Sequence, residues 1–149
     1  MDHIAIMRKS WGLTRKILSD EKKVESRWYT SRRPPWDRIE TGDAVYFKDS
    51  GKPVTIVSEV GKVLQFSDLT PRKVKEILDL YWKLDGLDKN DVPRFFNLFK
   101  DKRYCVLIFL KNSRGVEPFD VDKRGFGSMS AWITVDDVRK IKSARPTSK

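Results

Sequence analysis

Cysteine and histidine are scarce in this sequence. It has one cysteine, Cys105, and one histidine, His3, among 149 residues. A lone cysteine forms no internal disulfide, and its position in an apolar run indicates a buried thiol and a reducing, cytoplasmic environment. One histidine near the N-terminus argues against a histidine-based triad. Without a Cys/His cluster we predict no zinc site, and we expect neither a metal nor another cofactor.

Long hydrophobic segments are also lacking. No apolar run approaches the length that crosses a bilayer, so we expect no membrane association. Residues 1–7 include Asp2 and His3 and are too short for the apolar region of a signal peptide. The glycine-rich stretch 125–130 lacks the Lys-Ser/Thr ending of a phosphate-binding Walker loop. The sequence shows no pair of carboxylates of the kind that glycosidases use.

Positive charge is abundant. The 31 lysines and arginines exceed the 21 aspartates and glutamates, which gives a net charge of +10. Such an excess favours polyanionic partners, although it also serves general solubility. Basic residues are interspersed with aromatic ones, which favours nucleic acid or a nucleotide as the partner.

The hydrophobic pattern predicts strands at both ends of the chain with helices between them. We expect one α+β domain over residues 1–142, followed by a basic flexible tail at 143–149, and a monomer. Short strands with glycine bends suggest a small β-barrel or pseudobarrel of about five to six strands. The predicted strands are 3–8, 23–29, 44–48, 54–66 and 104–110; the predicted helices are 13–19, a segment from 71 to about 84, 92–99 and 135–141, with a turn at 112–115.

The charged segment 22–27 is the strongest candidate for a site. Side chains alternate along a strand, so Glu25 and Arg27 lie on one face and can fix each other's geometry. Lys22, in the preceding turn, can approach the same place. Together they would form an anion-binding pocket on a rigid strand. The alternative is an ordinary ion pair on a solvated sheet face, which contributes little.

Four further stretches are candidates for lining the same pocket. Trp11 could stack on a base or could cap the core. The polar turn 48–51, the loop 125–130 and the basic loop 32–36 suit phosphate or sugar groups, and each could instead be a solvated loop. The candidate binding residues in these stretches are Ser10, Trp11, Arg32, Arg33, Lys48, Ser50 and Ser128.

Residues 20–27 resemble the G-x-K-x-x-E-x-R signature of the ASCH domain family, part of the PUA-like superfamily. The turn at 41–43, Thr-Gly-Asp before a hydrophobic strand, also matches the family pattern. Asp20 replaces the motif glycine, and Asp tolerates a left-handed backbone better than most residues. The resemblance implies a PUA-like β-barrel with a cleft beside the motif strand. It also implies recognition of RNA, favoured over DNA, or of a nucleotide.

The same resemblance leaves an enzymatic alternative. Some relatives are amidohydrolases that remove acetyl from acetylated cytidine with Lys, Thr and Glu, and others are ribonucleases. Lys22 matches the lysine, so Lys22 and Glu25 would be the catalytic pair. Glu25 stands where those enzymes have the threonine, and a carboxylate cannot act as that hydroxyl nucleophile. A third hypothesis is a protein-interaction adaptor that uses the loop 34–36. We rank the nucleic-acid-binding module first.

Overall fold

The six strands of the described chain form one sheet. A computed structural model describes residues 1–127 and 129–143. The strand order is β2-β5-β4-β3-β1-β6, and every neighbouring pair is antiparallel except β1 and β3. The strands are β1 (Asp2–Met7), β2 (Val24–Tyr29), β3 (Ala44–Asp49), β4 (Val54–Phe66), β5 (Tyr104–Phe119) and β6 (Trp132–Val135).

The sheet curls into a half-barrel. Pairing between the long strands β4 and β5 shifts register at three places, and bulges of this kind bend and twist a sheet. The curl brings the two ends of the sheet together. Arg27 in β2 donates hydrogen bonds to the carbonyls of Ile6 in β1, at 3.3 Å, and of Ala131 just before β6, at 3.1 Å. The predicted α+β architecture, a pseudobarrel of five to six strands with inserted helices, is confirmed.

Helices α1 (Thr14–Leu18), α2 (Pro71–Tyr81) and α3 (Val92–Phe99) lie between the strands. Helix α2 begins as its sequence predicts: the Thr70 hydroxyl accepts from the Lys73 amide at 3.2 Å, and Pro71 occupies the first helical position. The buried side of α2 consists of Val74, Ile77 and Leu78. Short 3₁₀ turns cover Lys9–Trp11, Lys89–Asp91 and Val138–Ile141.

Two hydrophobic clusters lie on opposite sides of β1. Along β1, Ala5 and Met7 belong to the larger cluster, whereas Ile4 belongs to the smaller one. This is the alternation expected of a strand covered on both sides. The larger cluster contains α2, α3 and the buried centre of β5 from Cys105 to Ile108, as the continuous apolar run predicted.

The turn predicted at 112–115 is wrong, because these residues lie inside β5. Asn112 takes the left-handed φ of 53° that its residue type tolerates, but the strand continues. Ser113 then forms a hydroxyl–hydroxyl hydrogen bond of 2.6 Å with Ser58 in β4. Cross-strand pairing therefore overrides the local turn preference of the Asn-Ser-Arg-Gly sequence.

The C-terminal helix predicted at 135–141 is also wrong in extent. Only Val138–Ile141 is helical, as a 3₁₀ turn, and the Asp137 side chain caps it by accepting from the Arg139 amide at 2.9 Å. The predicted flexible tail stays a prediction, because residues 144–149 lie outside the described part of the chain.

Candidate functional site

A cleft of about 280 Å³ opens beside β2. Its walls come from β2, from the segment that follows β1 and from α3. Apolar and aromatic side chains line most of it. The polar side chains in the lining are Arg8, Glu25, Ser26, Arg27, Tyr29, Asp85 and Lys102.

Strand β2 places the predicted pair together. Glu25 lies opposite Ile108 of β5 and Arg27 lies opposite Val106, so both side chains project from the same face. The Arg27 Nε donates to Glu25 Oε2 at 2.8 Å. The side chains are 5% and 12% exposed for Glu25 and Arg27, respectively, so the pair is not the solvated surface pair that was the alternative prediction.

Lys22 is buried behind this pair. Its ammonium lies 3.0 Å from Glu25 Oε1 and also pairs with the Asp85 carboxylate. It donates further hydrogen bonds to the carbonyls of Val24, at 2.8 Å, and Asp85, at 2.9 Å. Lys22 is 1% exposed and is not among the described residues that line the cleft. Its position therefore orients two carboxylates rather than offering a donor to a ligand.

The protonation states follow from this network. Burial alone would raise the pKa of Glu25, but Lys22 and Arg27 together hold that pKa below its usual value. Burial alone would lower the pKa of Lys22, but Asp85 and Glu25 raise it. Burial, together with the nearby charge of Glu25, raises the pKa of Asp85. At neutral pH Glu25 is therefore an anion and Lys22 a cation.

The guanidinium of Arg27 is held on several sides. Besides Glu25 and the two carbonyls across the half-barrel, it contacts the Met7 sulfur at 3.3 Å and lies 5.1 Å from the ring centroid of Trp132. These contacts fix the position of its charge at the cleft. Most of its N–H groups are already hydrogen bonded, so Arg27 contributes mainly a fixed positive charge to the cleft.

A row of aromatic rings forms one wall. Trp28 stacks on Phe99 with centroids 4.8 Å apart and an interplanar angle of 7°. Phe99 contacts Phe95 at 5.9 Å, and Phe95 meets Trp11 edge to face at 5.1 Å. All four residues line the cleft. The aromatic side of α3 is thus both core and cleft wall.

Two cations stand at the rim. Arg8 is exposed, with its guanidinium 5.0 Å from the ring centroid of Trp11, and Lys102 is half-buried. Counting Lys22, four cationic and two anionic side chains lie in the cleft or directly behind it. The net charge of the site is positive. Lys22 and Arg27 are paired with carboxylates, whereas the rim cations Arg8 and Lys102 form no ion pair with a carboxylate among the described residues.

His3 lies beneath this site and is fully buried in β1. Its Nδ1 accepts from the Trp132 indole N–H at 3.1 Å, and its Nε2 lies 2.8 Å from Asp43 Oδ2. Because the indole can only donate, Nδ1 is unprotonated and the Nε2 proton goes to Asp43. Burial lowers the pKa of His3 more than Asp43 raises it. The histidine is therefore a neutral structural residue that supports the ring under Arg27.

The other predicted binding residues are dispersed. Trp11 lines the cleft, whereas the remaining candidates do not appear among the described lining residues. Lys48 is buried in β3. Ser10 and Ser50 are exposed and lie in turns. Arg32 and Arg33 lie in an exposed loop, where the Arg32 guanidinium is 5.9 Å from the ring centroid of Trp36. Ser128 lies outside the described residues.

Asp85 is the site residue that the sequence analysis missed. It follows the helix predicted from 71 to about 84. Asp-Gly is an ordinary turn pair, so its residue type and position carry no signal of a site. Its partner is Ser26, whose hydroxyl donates to Asp85 Oδ2 at 2.7 Å. Neither Ser26 nor the rim cations Arg8 and Lys102 can be distinguished from ordinary surface residues in the sequence.

Within the described residues, no group of three or more His, Cys, Asp or Glu side chains is arranged to hold a metal ion. No helix in this part of the chain combines the length and apolar character needed to cross a membrane.

Comparison with known proteins gives a clear result for the fold. No protein-family model matches the sequence, and no curated protein matches it. An ASCH structure from Zymomonas mobilis matches with a TM-score of 0.65 at 14% identity, over 95% of this chain and 96% of that chain. A variant of that protein gives the same TM-score and identity, over 95% and 99%. An ASCH domain from Lactobacillus crispatus matches with a TM-score of 0.42 at 14% identity, over 72% and 78%. The chain has the ASCH fold that its motif indicated.

Proposed function

We propose that this ASCH-fold protein is a nucleic-acid-binding module that holds one unstacked nucleotide of single-stranded RNA in the cleft beside β2. The observation that carries the proposal is the cleft itself: an aromatic wall, a fixed Glu25–Arg27 floor and a rim with two cations in one concavity. Aromatic side chains that stack on bases, beside basic groups that contact phosphates, are the usual elements of single-strand binding.

The size of the cleft supports a single nucleotide. Its volume of about 280 Å³ lies just below the range for small-ligand pockets, about 300–1,000 Å³. A duplex does not enter such a space, so a base must leave its stack to reach it. Single strands offer unstacked bases at little cost. RNA rather than DNA follows from the resemblance of the motif.

Charge supports an anionic ligand whose phosphates remain at the surface. The inner charges are paired with one another, whereas Arg8 and Lys102 flank the opening. The net charge of +10 over the chain further favours approach of a polyanion. The backbone of the ligand would thus contact the rim while one base enters the cleft.

The hydrolase alternative has no comparable support. Lys22 is fully buried and has a raised pKa; its ammonium donates three hydrogen bonds, to the Val24 carbonyl and to the carbonyl and carboxylate of Asp85, and pairs with the Glu25 carboxylate. An ammonium in that position stays protonated and cannot accept a proton from a substrate in the cleft. We therefore propose a binding function and no reaction.

Fluorescence anisotropy with labelled single-stranded RNA, single-stranded DNA and duplex oligonucleotides tests the proposal. We expect the single strands to bind at low salt, RNA more tightly than DNA, and the duplex to bind more weakly. Arg8→Gln and Lys102→Gln should each weaken binding and reduce the slope of log K against log[salt] by about 0.7, the value for one phosphate contact on a single strand.

The matched control is Arg72→Gln on α2, which removes one exposed cation away from the cleft. It should leave the slope unchanged. Trp11→Ala should weaken binding further than Trp11→Phe, because only the phenyl ring can still stack. If no single strand binds at low salt, or if the Arg72 variant weakens binding as much as the rim variants, the proposal is wrong.

A further inference from the structure

Lys48 is a second buried lysine, and it lies outside the cleft. It is 8% exposed, in β3, and is not among the described residues that line the cleft. The register of the sheet places it between Ile6 of β1 and Val54 of β4. Both of these side chains belong to the smaller hydrophobic cluster or pack against it. Paired residues project from the same face, so the lysine stem lies against apolar groups.

The amine of Lys48 has no hydrogen-bond or ion-pair partner in the described part of the chain. Its nitrogen is not among the fully enclosed polar atoms of that part, so it keeps some contact with the surface. The adjacent Asp49 is engaged elsewhere, because its carboxylate accepts from the Thr14 hydroxyl at 2.5 Å. Lys22, by contrast, is buried with two carboxylates. A buried ammonium without such a partner is costly, which favours the neutral amine.

The charges around Lys48 act in both directions. Burial and the neighbouring cation of Lys123 lower the pKa of Lys48, and the carboxylates of Asp120 and Asp49 oppose this shift without reversing it. A lysine that is desolvated, or that lies beside another cation, is an activated nucleophile because more of it is neutral at a given pH.

The position of Lys123 is fixed by the segment that precedes β6. Its Nζ donates to the Ser130 carbonyl at 3.1 Å. The next residue, Ala131, accepts from the Ile6 amide at 2.9 Å, and Ile6 is the β1 neighbour of Lys48. The Lys123 ammonium therefore lies on the side of the sheet where the amine of Lys48 ends.

We infer that Lys48 is a site of reversible modification by carbon dioxide, which it binds as a carbamate paired with the Lys123 ammonium. The neutral amine attacks the carbon of CO₂ and a C–N bond forms. One C–O π bond opens to give the carboxylate, and the nitrogen loses one proton to water. No oxidant or further reactant is required. The inference does not depend on the proposed function.

The burial of the amine selects a small electrophile. Acyl phosphates and aldehydes would bring a substituent against Ile6 and Val54, whereas CO₂ is small, linear and uncharged. Its product is an anion on the Lys48 nitrogen, within the field of Lys123. Opposite charges in a partly enclosed position attract more strongly than in bulk water, so this neighbour stabilises the carbamate.

The test is ¹³C NMR of the full chain in buffer that contains ¹³C-labelled bicarbonate and CO₂. We expect a carbamate resonance whose intensity rises with the CO₂ concentration and which is absent in Lys48→Met, a variant that keeps the length of the stem without the amine. Exposed lysines are mostly protonated near neutral pH and should contribute little. Trapping with triethyloxonium followed by peptide mass spectrometry separates Lys48 from the N-terminal amine. Circular dichroism checks that the variant folds.

Two variants should change the carbamate in opposite directions. Lys123→Gln removes the cation that favours both the neutral amine and the product, whereas Asp120→Asn removes an anion that opposes both. A change of one pKa unit alters the neutral fraction of an amine about tenfold. We therefore expect the occupancy at a fixed pH to fall by up to about tenfold in Lys123→Gln and to rise in Asp120→Asn. Lys111→Gln, which removes an exposed cation paired with Glu59, is the control and should leave the occupancy unchanged.

A pH titration of the Lys48 Cε resonance without CO₂ gives a reading that needs no variant. Its midpoint should lie below that of the exposed lysines. If Lys48 titrates together with them, its stem merely covers the hydrophobic cluster with the charge in water, and the inference is overturned. The same conclusion follows if trapping finds no carbamate on Lys48, or if Lys123→Gln and Lys111→Gln leave equal occupancies.

Discussion

Replacing Lys22 with methionine should strongly destabilise this protein. Methionine matches the length of the lysine stem but removes the ammonium, which is bonded to two carboxylates and two carbonyls in the interior. Removing one partner of a buried ion pair costs about 3–5 kcal/mol because the remaining charges stay desolvated. Glu25 keeps Arg27 and Asp85 keeps Ser26, so the loss should lie within this range rather than above it.

Urea denaturation followed by tryptophan fluorescence measures the effect near pH 7. For a chain of this size the same loss lowers the thermal midpoint by about 6–20 °C. Lys75→Met, which breaks an exposed pair with Asp79 on α2, is the matched control and should cost less than about 1 kcal/mol. The double variant Lys22→Met with Asp85→Asn should recover about 1–2 kcal/mol of the loss, since one orphaned charge is removed.

The deficit of Lys22→Met should also depend on pH. Without the ammonium, burial and mutual repulsion place the pKa values of Glu25 and Asp85 above those of the unfolded chain. Groups whose pKa is raised in the folded state stabilise it at low pH and lose that contribution as the pH rises. The deficit relative to wild type should therefore shrink as the pH falls from about 7 toward 5. A loss below about 1 kcal/mol, or a deficit that grows on acidification, would refute the reasoning.

Three further outcomes are expected. Because burial lowers the pKa of His3, stability should fall as the pH drops below about 6.5, by up to about 1.4 kcal/mol per pH unit, and His3→Gln should flatten this part of the stability profile. Gly86→Ala should destabilise more than Gly51→Ala: both have positive φ, but a Cβ at Gly86 would lie 3.0 Å from the Lys22 Cβ, whereas at Gly51 it meets open space. Burial raises the pKa of Cys105, so a thiol reagent should modify it only at the rate of unfolding; fast modification of the native protein would contradict the buried position.

The strand-based part of the site was predictable from the sequence. Period-two alternation places Glu25 and Arg27 on one face whatever the rest of the chain does. The motif likewise predicted a left-handed residue at Asp20, which has φ 62°. These features depend on a few neighbouring residues, so local physical rules are sufficient.

The burial of Lys22 was not predictable in the same way. Lysine is almost never fully buried unless it is paired, and its second partner, Asp85, lies 63 positions away along the chain. Helix α2 brings that carboxylate to the start of β2, where the backbone of Leu84 also bonds to Lys23 and Val24. Such a contact depends on tertiary packing, which a single sequence does not display.

The separation of paired inner charges from free rim cations has a consequence for the salt dependence of the proposed binding. Phosphate contacts at Arg8 and Lys102 are exposed and are weakened by salt, whereas stacking of a base on Trp11 involves no ion pair and is not screened in this way. Affinity for a single strand should therefore fall as salt rises, while the ratio of the affinities of the wild type and Trp11→Ala stays constant. Anisotropy titrations of both proteins over a series of NaCl concentrations measure this ratio. A ratio that falls toward one as salt rises would show that Trp11 does not act by stacking.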